Sequence, residues 1–139
     1  MDYSILAAEL LHRMRSLHSA RMQKSIDEAL QGETYVLHYL SCHEGEALPG
    51  EISNEMNVSS ARVAQTLNGM ENKGWISRRI DPRDRRKILV SLTDKGKTKA
   101  EEYFRNVVEL VTKMLTLLGE RDAEEYVRIT SKLADIISG

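Results

Sequence analysis

Arg62 and Gln65 stand three residues apart in a stretch whose apolar residues, Val63, Leu67 and Met70, recur at helical spacing. Side chains three apart on a helix share a face. The spacing therefore predicts a guanidinium beside a carboxamide, with Ser60 and Thr66 as shorter polar neighbours and Ser59 at the helix start. An arginine fork bonds two acceptors of guanine, and a glutamine amide pairs the acceptor and donor of adenine, both in the major groove of duplex DNA. Ser59, Ser60, Arg62, Gln65 and Thr66 form the candidate DNA-contacting set of this helix. Downstream, DPRDRR places Arg83, Arg85 and Arg86 around Asp84. Arginines of this kind suit a minor groove, where narrow A·T-rich tracts concentrate negative potential. Lys73, Arg78, Arg79 and Lys95 are placed to neutralise phosphates, which would make binding fall steeply with salt. The plainer alternative for Arg62 and Gln65 is phosphate contact or a solvated face.

A second set of residues suits small-molecule chemistry. His12, Arg15, His18, Tyr35, His38 and Tyr39 offer cations, imidazoles and phenols able to hold a planar anion such as an aromatic acid. The alternative is that they are surface or satisfied core residues. Cys42 is the only thiol; a peroxide-sensing role competes with a buried inert thiol, and the latter is the expectation. His38, Cys42 and His43 have a spacing a transition metal can use, but without a carboxylate cluster or cysteine pair no metal or cofactor is expected. No Ser-His-Asp order, paired-carboxylate signature or phosphate-binding glycine loop is present, so no enzyme is expected.

The elements that position these groups follow from periodicity and punctuation. Leu6, Leu10, Met14 and Leu17 predict one long helix from about Asp2 to Leu30, ended at Gln31-Gly32. A second helix runs from Glu33 to His43, and Gly45 marks a turn. Pro49 suits the first turn of a short helix, PGEISNEM, because its missing N–H would be unpaired there. Asn57-Val58 turns the chain into the helix that Ser59 caps, giving a helix-turn-helix. Asn72-Lys73-Gly74 ends that helix; Trp75–Ser77 and Lys87–Leu92 read as strands joined by the arginine-rich turn. Thr93 caps a long helix to about Leu118, Gly119 breaks it, and Arg121 to Ser138 forms the last one. The first and last helices carry more apolar surface than so small a domain needs, which predicts packing across a two-fold axis onto a second copy.

Net charge is only −1, yet eleven of the twenty Lys and Arg residues lie between Ser59 and Lys99 against four Asp and Glu. A chain this dipolar turns one basic surface toward a polyanion and keeps its acidic remainder away. A single cysteine excludes an internal disulfide. The sequence has neither an apolar run near the ~20 residues of a membrane span nor a secretion-signal pattern, so a cytoplasmic protein is expected.

On these residues the sequence resembles the MarR (multiple antibiotic resistance regulator) family. LPGEISNEMNVS is similar to the family's first helix-turn-helix segment, SSARVAQTLNGMENKGWISR to its recognition helix and following turn, and DPRDRR with LVSLTDKG to its wing and the lead into the next helix. The resemblance covers nearly the whole chain and is most specific over residues 48–96. Arg62 and Gln65 stand where the family often has Thr and Arg, and Tyr35 stands beside a position, Thr34, where many members carry an aromatic. The resemblance implies a mainly α fold with a small β wing: a single domain over residues 1–139, a winged helix-turn-helix at about 33–96, and dimerisation helices at about 2–30 and 97–138. It also implies that Asp84 holds Arg86 in position, and that a homodimeric repressor reads a pseudo-palindromic duplex until relieved by a small molecule or oxidant. The alternatives are a protein-interaction module without specific DNA binding, and a thiol-based redox regulator acting through Cys42.

Overall fold

The computed structural model describes the backbone of residues 1–139 and every side chain but that of Ala29. Its elements run α1 (Tyr3–Ser19), α2 (Arg21–Ala29), α3 (Gly32–Cys42), β1 (Glu46–Ala47), α4 (Pro49–Met56), α5 (Ser60–Asn72), β2 (Ile76–Asp81), β3 (Asp84–Leu92), α6 (Asp94–Leu118) and α7 (Glu120–Ser138). The three strands form one antiparallel sheet in the order β1-β3-β2. No helix among the described residues is long and apolar enough to cross a membrane.

The core is assembled from α3, α4, α5 and the sheet. Val36, Leu37 and Leu40 meet Ile52, Val63, Leu67, Met70 and Val90, all essentially without solvent contact. Each such side chain contributes about 1.5–3 kcal/mol relative to exposure, so this lobe is stable through burial within one chain. The short helices keep their expected bounds for local reasons. Pro49 opens α4, and Asn57 closes it in the left-handed conformation at φ 53°. The Ser59 hydroxyl accepts from the Arg62 N–H at 3.2 Å to start α5.

The junction between α5, the wing and α6 is tied by backbone. Gly74, at φ +78°, turns the chain out of α5. Thr93 then donates from its N–H to Trp75 O at 3.0 Å, donates from its hydroxyl to Gly74 O at 2.6 Å, and accepts from Gly96 N–H at 3.0 Å. Gly96 is obligatory: a β-carbon there would lie 1.9 Å from the Trp75 carbonyl oxygen.

Three expectations need correction. The helix from Asp2 to Leu30 is two helices, because Ala20 takes extended backbone (φ −69°, ψ 135°). Neither glycine nor proline marks the break; it turns Ile26 into the protein, where it is buried, as α2 packs on α3 and α6. The wing strands reach further than Trp75–Ser77 and Lys87–Leu92, so the turn contracts to Pro82-Arg83 and Arg85 and Arg86 lie on β3. Trp75 precedes its strand, its N–H donating to Met70 O at 3.0 Å. The turn near Gly45 also supplies the two-residue strand β1, paired with Val90 and Ser91.

The terminal helices behave differently from the core. Neither α1 nor α7 buries a residue within the chain. Leu6, Leu10, Met14 and Leu17 are at least half exposed on α1, as are Val127, Ile129, Leu133 and Ile136 on α7.

Candidate nucleic-acid interface

Helix α5 turns Val63, Leu67 and Met70 inward and leaves Ser60, Ala61, Arg62, Ala64 and Gln65 exposed on its outer side. The two alanines escaped the sequence reading, which looked for polar readers. Their small side chains allow close approach, and a methyl group is what contacts the thymine methyl. Thr66 is half-buried and its hydroxyl donates to Arg62 O at 3.0 Å, so its hydrogen is spent on the helix backbone. Arg62 forms no ion pair with a described residue and keeps its guanidinium free.

The wing is β2, the tight turn and β3. Asp81 accepts from the Arg83 N–H at 2.9 Å, which fixes the turn after Pro82. Asp84 accepts from the Arg86 N–H at 3.1 Å, from its Nε at 3.2 Å and from Nη2 at 3.4 Å. The Arg86 side chain, held through its guanidinium, is 91% exposed. The Arg86 guanidinium and then its N–H hold the Asp84 carboxyl below its ordinary range. Arg83 and Arg85 are exposed and form no ion pair with a described residue.

The residues expected at phosphates divide. Arg78 gives two bonds to Glu71, at 3.1 and 3.2 Å, and one to Asn68 at 2.6 Å, which joins the root of the wing to α5. That hydrogen bonding holds the Glu71 carboxyl below its ordinary range and raises that of Arg78. Arg79 reaches Glu46 of β1 at 3.2 Å. Lys73 pairs with Glu33 of α3 at 2.6 Å and lies 4.7 Å from the Trp75 ring centre. Lys95 has no ion-pair partner among the described residues. Three of the four therefore brace the fold, and their carboxylate partners were not singled out in the sequence because they lie on other elements.

The six small-molecule candidates do not converge on one place. Tyr35 and His38 line a cavity of about 380 Å³ between α3 and α6, closed by Ala100, Tyr103, Phe104 and Val107. His38 stacks on Phe104 there, with ring centres 6.0 Å apart and planes within 5°. Burial first, then the charge of Glu55, pushes the Tyr35 phenol above its ordinary range, so it is a neutral donor. Arg15 and His18 line a separate, more open hollow of about 560 Å³ with Gln23, Asp27 and Tyr126. His18 Nδ1 lies 3.0 Å from Asp27 there. Tyr39 stacks on His43 at 4.0 Å, and His12 lines neither hollow. The expectation of a buried Cys42 is overturned: the thiol is exposed at the end of α3, 3.7 Å from His38 Nε2. No group of three or more His, Cys, Asp or Glu side chains gathers at ion-binding distance among the described residues.

The sequence profile described as "MarR family" matches residues 30–87, which contain α3 to α5, β2 and the tip of the wing. The HTH-type transcriptional regulator YwhA of Bacillus subtilis is 26% identical over 140 residues, an alignment covering 96% of this chain and 99% of that protein. The HTH-type transcriptional repressor MdtR of the same organism is 33% identical over 102 residues, 73% of this chain and 65% of MdtR. The chain thus spans nearly all of the first and just under two thirds of the second. Among solved structures, a MarR family protein from Bacillus stearothermophilus superposes with a TM-score of 0.77 at 21% identity, covering 100% of this chain and 99% of that one, and shares its fold. Winged helix-turn-helix, profile and relatives agree: residues 30–87 match the MarR family, and the proteins this chain is similar to are transcription regulators.

Proposed function

We propose that the protein is a homodimeric, cytoplasmic repressor that reads a pseudo-palindromic DNA duplex and is released by a small aromatic effector. The observation that carries this reading is the pairing of a free-standing Arg62 and Gln65 on the outer face of α5 with an arginine-bearing wing. Arg62 and Gln65 read base edges in the major groove, with Ser60 and Thr66 beside them. Arg86, held by Asp84, enters the adjacent minor groove, flanked by Arg83 and Arg85. Lys95 and the braced Lys73, Arg78 and Arg79 supply the surrounding positive field. Dimerisation is supported by the exposed apolar stripes of α1 and α7, which one chain leaves uncovered. Two-fold symmetry then presents two recognition helices to successive major grooves about 34 Å apart.

The effector reading rests on the cavity between α3 and α6. Its walls are largely aromatic and apolar, with the Tyr35 phenol and the His38 imidazole among its polar groups, beside Thr34 and Tyr103. Such a space takes a flat ring bearing one hydrogen-bonding substituent. An occupant there wedges α3 away from α6 and, through the Glu33–Lys73 contact, pulls on the end of the recognition helix.

Fluorescence anisotropy tests the reading. Purified protein is titrated onto the DNA upstream of its own gene and onto a scrambled fragment, at several salt concentrations. Tight, discriminating, salt-dependent binding is expected. Equal weak binding to both fragments, persisting after selection from random sequences, would show that the winged domain serves a protein partner instead.

A further inference from the structure

The wing carries a feature that arginine chemistry does not explain. In the regular part of the hairpin, Ile76 pairs with Leu92, Arg78 with Val90 and Ile80 with Ile88. Alternate pairs of an antiparallel ribbon lie on one face, so these three share a side. At the root that side is core: Ile76, Leu92 and Val90 are buried. One step out it looks at the recognition helix, because Arg78 reaches Asn68 and Glu71 of α5. One step further Ile80 and Ile88 are 59% and 44% exposed. Beyond them the register slips, Asp81 pairing with Asp84, so that Arg85, Arg86 and Lys87 bulge out opposite a single step of β2. An uncovered apolar pair thus sits between the recognition helix and a cluster of three cations.

We infer that Ile80 and Ile88 pack against the deoxyribose faces of the DNA strand that separates the major groove read by α5 from the minor groove entered by the wing. The inference rests on the DNA-binding reading above and adds a contact to it. The occupant follows from charge and position. Arg85, Arg86 and Lys87 on one side and Arg78 on the other make a polyanion the surface that fits around this pair. A duplex offers apolar C–H surface on its sugars, between its phosphates. A protein segment apolar enough to cover the isoleucines would have to desolvate the flanking arginines. The contact carries no base information; it seats the wing at a fixed depth, so that Arg86 meets the groove floor and α5 keeps its register.

The experiment uses the full-length protein and a duplex obtained by random-sequence selection. Ile80→Thr and Ile88→Thr keep β-branching and strand preference while removing apolar surface. The double variant is expected to bind about tenfold more weakly with the slope of log Kd against log salt unchanged. Arg86→Ala, by contrast, is expected to flatten that slope by about 1. Unchanged affinity, or a loss that comes with a changed slope, overturns the inference. Methyl-labelled wild-type protein gives a second readout needing no variant: both isoleucine methyls should shift on adding duplex and show cross-relaxation to sugar H4′ and H5′ protons. Silent methyls in a saturated, sequence-specific complex overturn this contact and leave the DNA-binding reading standing. Methyl shifts that track protein concentration without DNA would assign the face to a second copy and overturn it too. Absence of duplex binding at any salt would remove both readings together.

Discussion

The winged lobe and the terminal helices are built from similar amounts of apolar sequence and end in opposite states. In the lobe, Leu37, Leu40, Ile52 and Leu67 have no solvent exposure or next to none. On α1 and α7, Leu10, Leu133 and Ile136 stand 54–67% exposed. A helical stripe is hydrophobic in both places; what differs is whether the same chain supplies the facing surface. The lobe closes around its own sheet and three helices. The terminal helices leave their apolar stripes uncovered within the chain. One region stores stability and carries the candidate contact groups, while the other leaves its apolar surface open.

Changes that break this contrast should rank by how much burial they disturb. Leu133→Lys places an unpaired charge on the apolar stripe of α7; the dimer is predicted to weaken a hundredfold or more, about 3 kcal/mol. Sedimentation velocity would check it, and an unchanged dimer would refute the role of α7. Leu37→Ala, in the closed lobe, is predicted to cost about 2–5 kcal/mol in denaturant unfolding, with the monomer–dimer equilibrium little moved. Gly96→Ala forces a methyl toward the Trp75 carbonyl and is predicted to cost about 1–3 kcal/mol or more, lowering the thermal midpoint. Arg62→Ala leaves stability alone and should lose about 1–3 kcal/mol of discrimination between sites, read from competition anisotropy.

The smallest effect concerns pH. The folded Asp84 carboxyl lies below its ordinary range because it accepts from Arg86. A lowered folded value means the contact is fully made above the ordinary carboxylate range. It is lost as pH falls through the lowered value. Arg86 is exposed and Asp84 only half-buried, so solvent screens the pair and global stability should hardly respond. The Arg86 Nε resonance, followed by NMR on acidification, should move toward that of a free guanidinium only below the ordinary aspartate range. A transition near neutral pH would refute the assignment.

Much of the lobe could be read from local chemistry. Ser59 and Thr93 are caps because their hydroxyls reach the third N–H along the helix, and Pro49 can open α4 because no bond is lost there. The exposed face of α5 follows from the 3.6-residue period of Val63, Leu67 and Met70. The break at Ala20 could not be read this way. Nothing in its neighbours disfavours a helix, and only the burial of Ile26 against α3 and α6 makes the extended residue worthwhile. Strand β1 is too short to show a period and exists because β3 offers it an edge.

The sequence by itself determined the element types, the exposed polar face of α5, the basic character of the wing and the excess of apolar surface at both ends. These depend on spacing along the chain, which a helix or hairpin converts directly into direction. Tertiary structure decided which charges are free and which are spent. Glu71, Glu46 and Glu33 meet Arg78, Arg79 and Lys73 only once the wing, β1 and α3 are in place. It likewise parted Tyr35 and His38 from Arg15 and His18, because the turn at Ala20 carries α1 away from the cavity between α3 and α6. Pairings between residues distant in sequence are set by packing, and packing is a property of the whole fold.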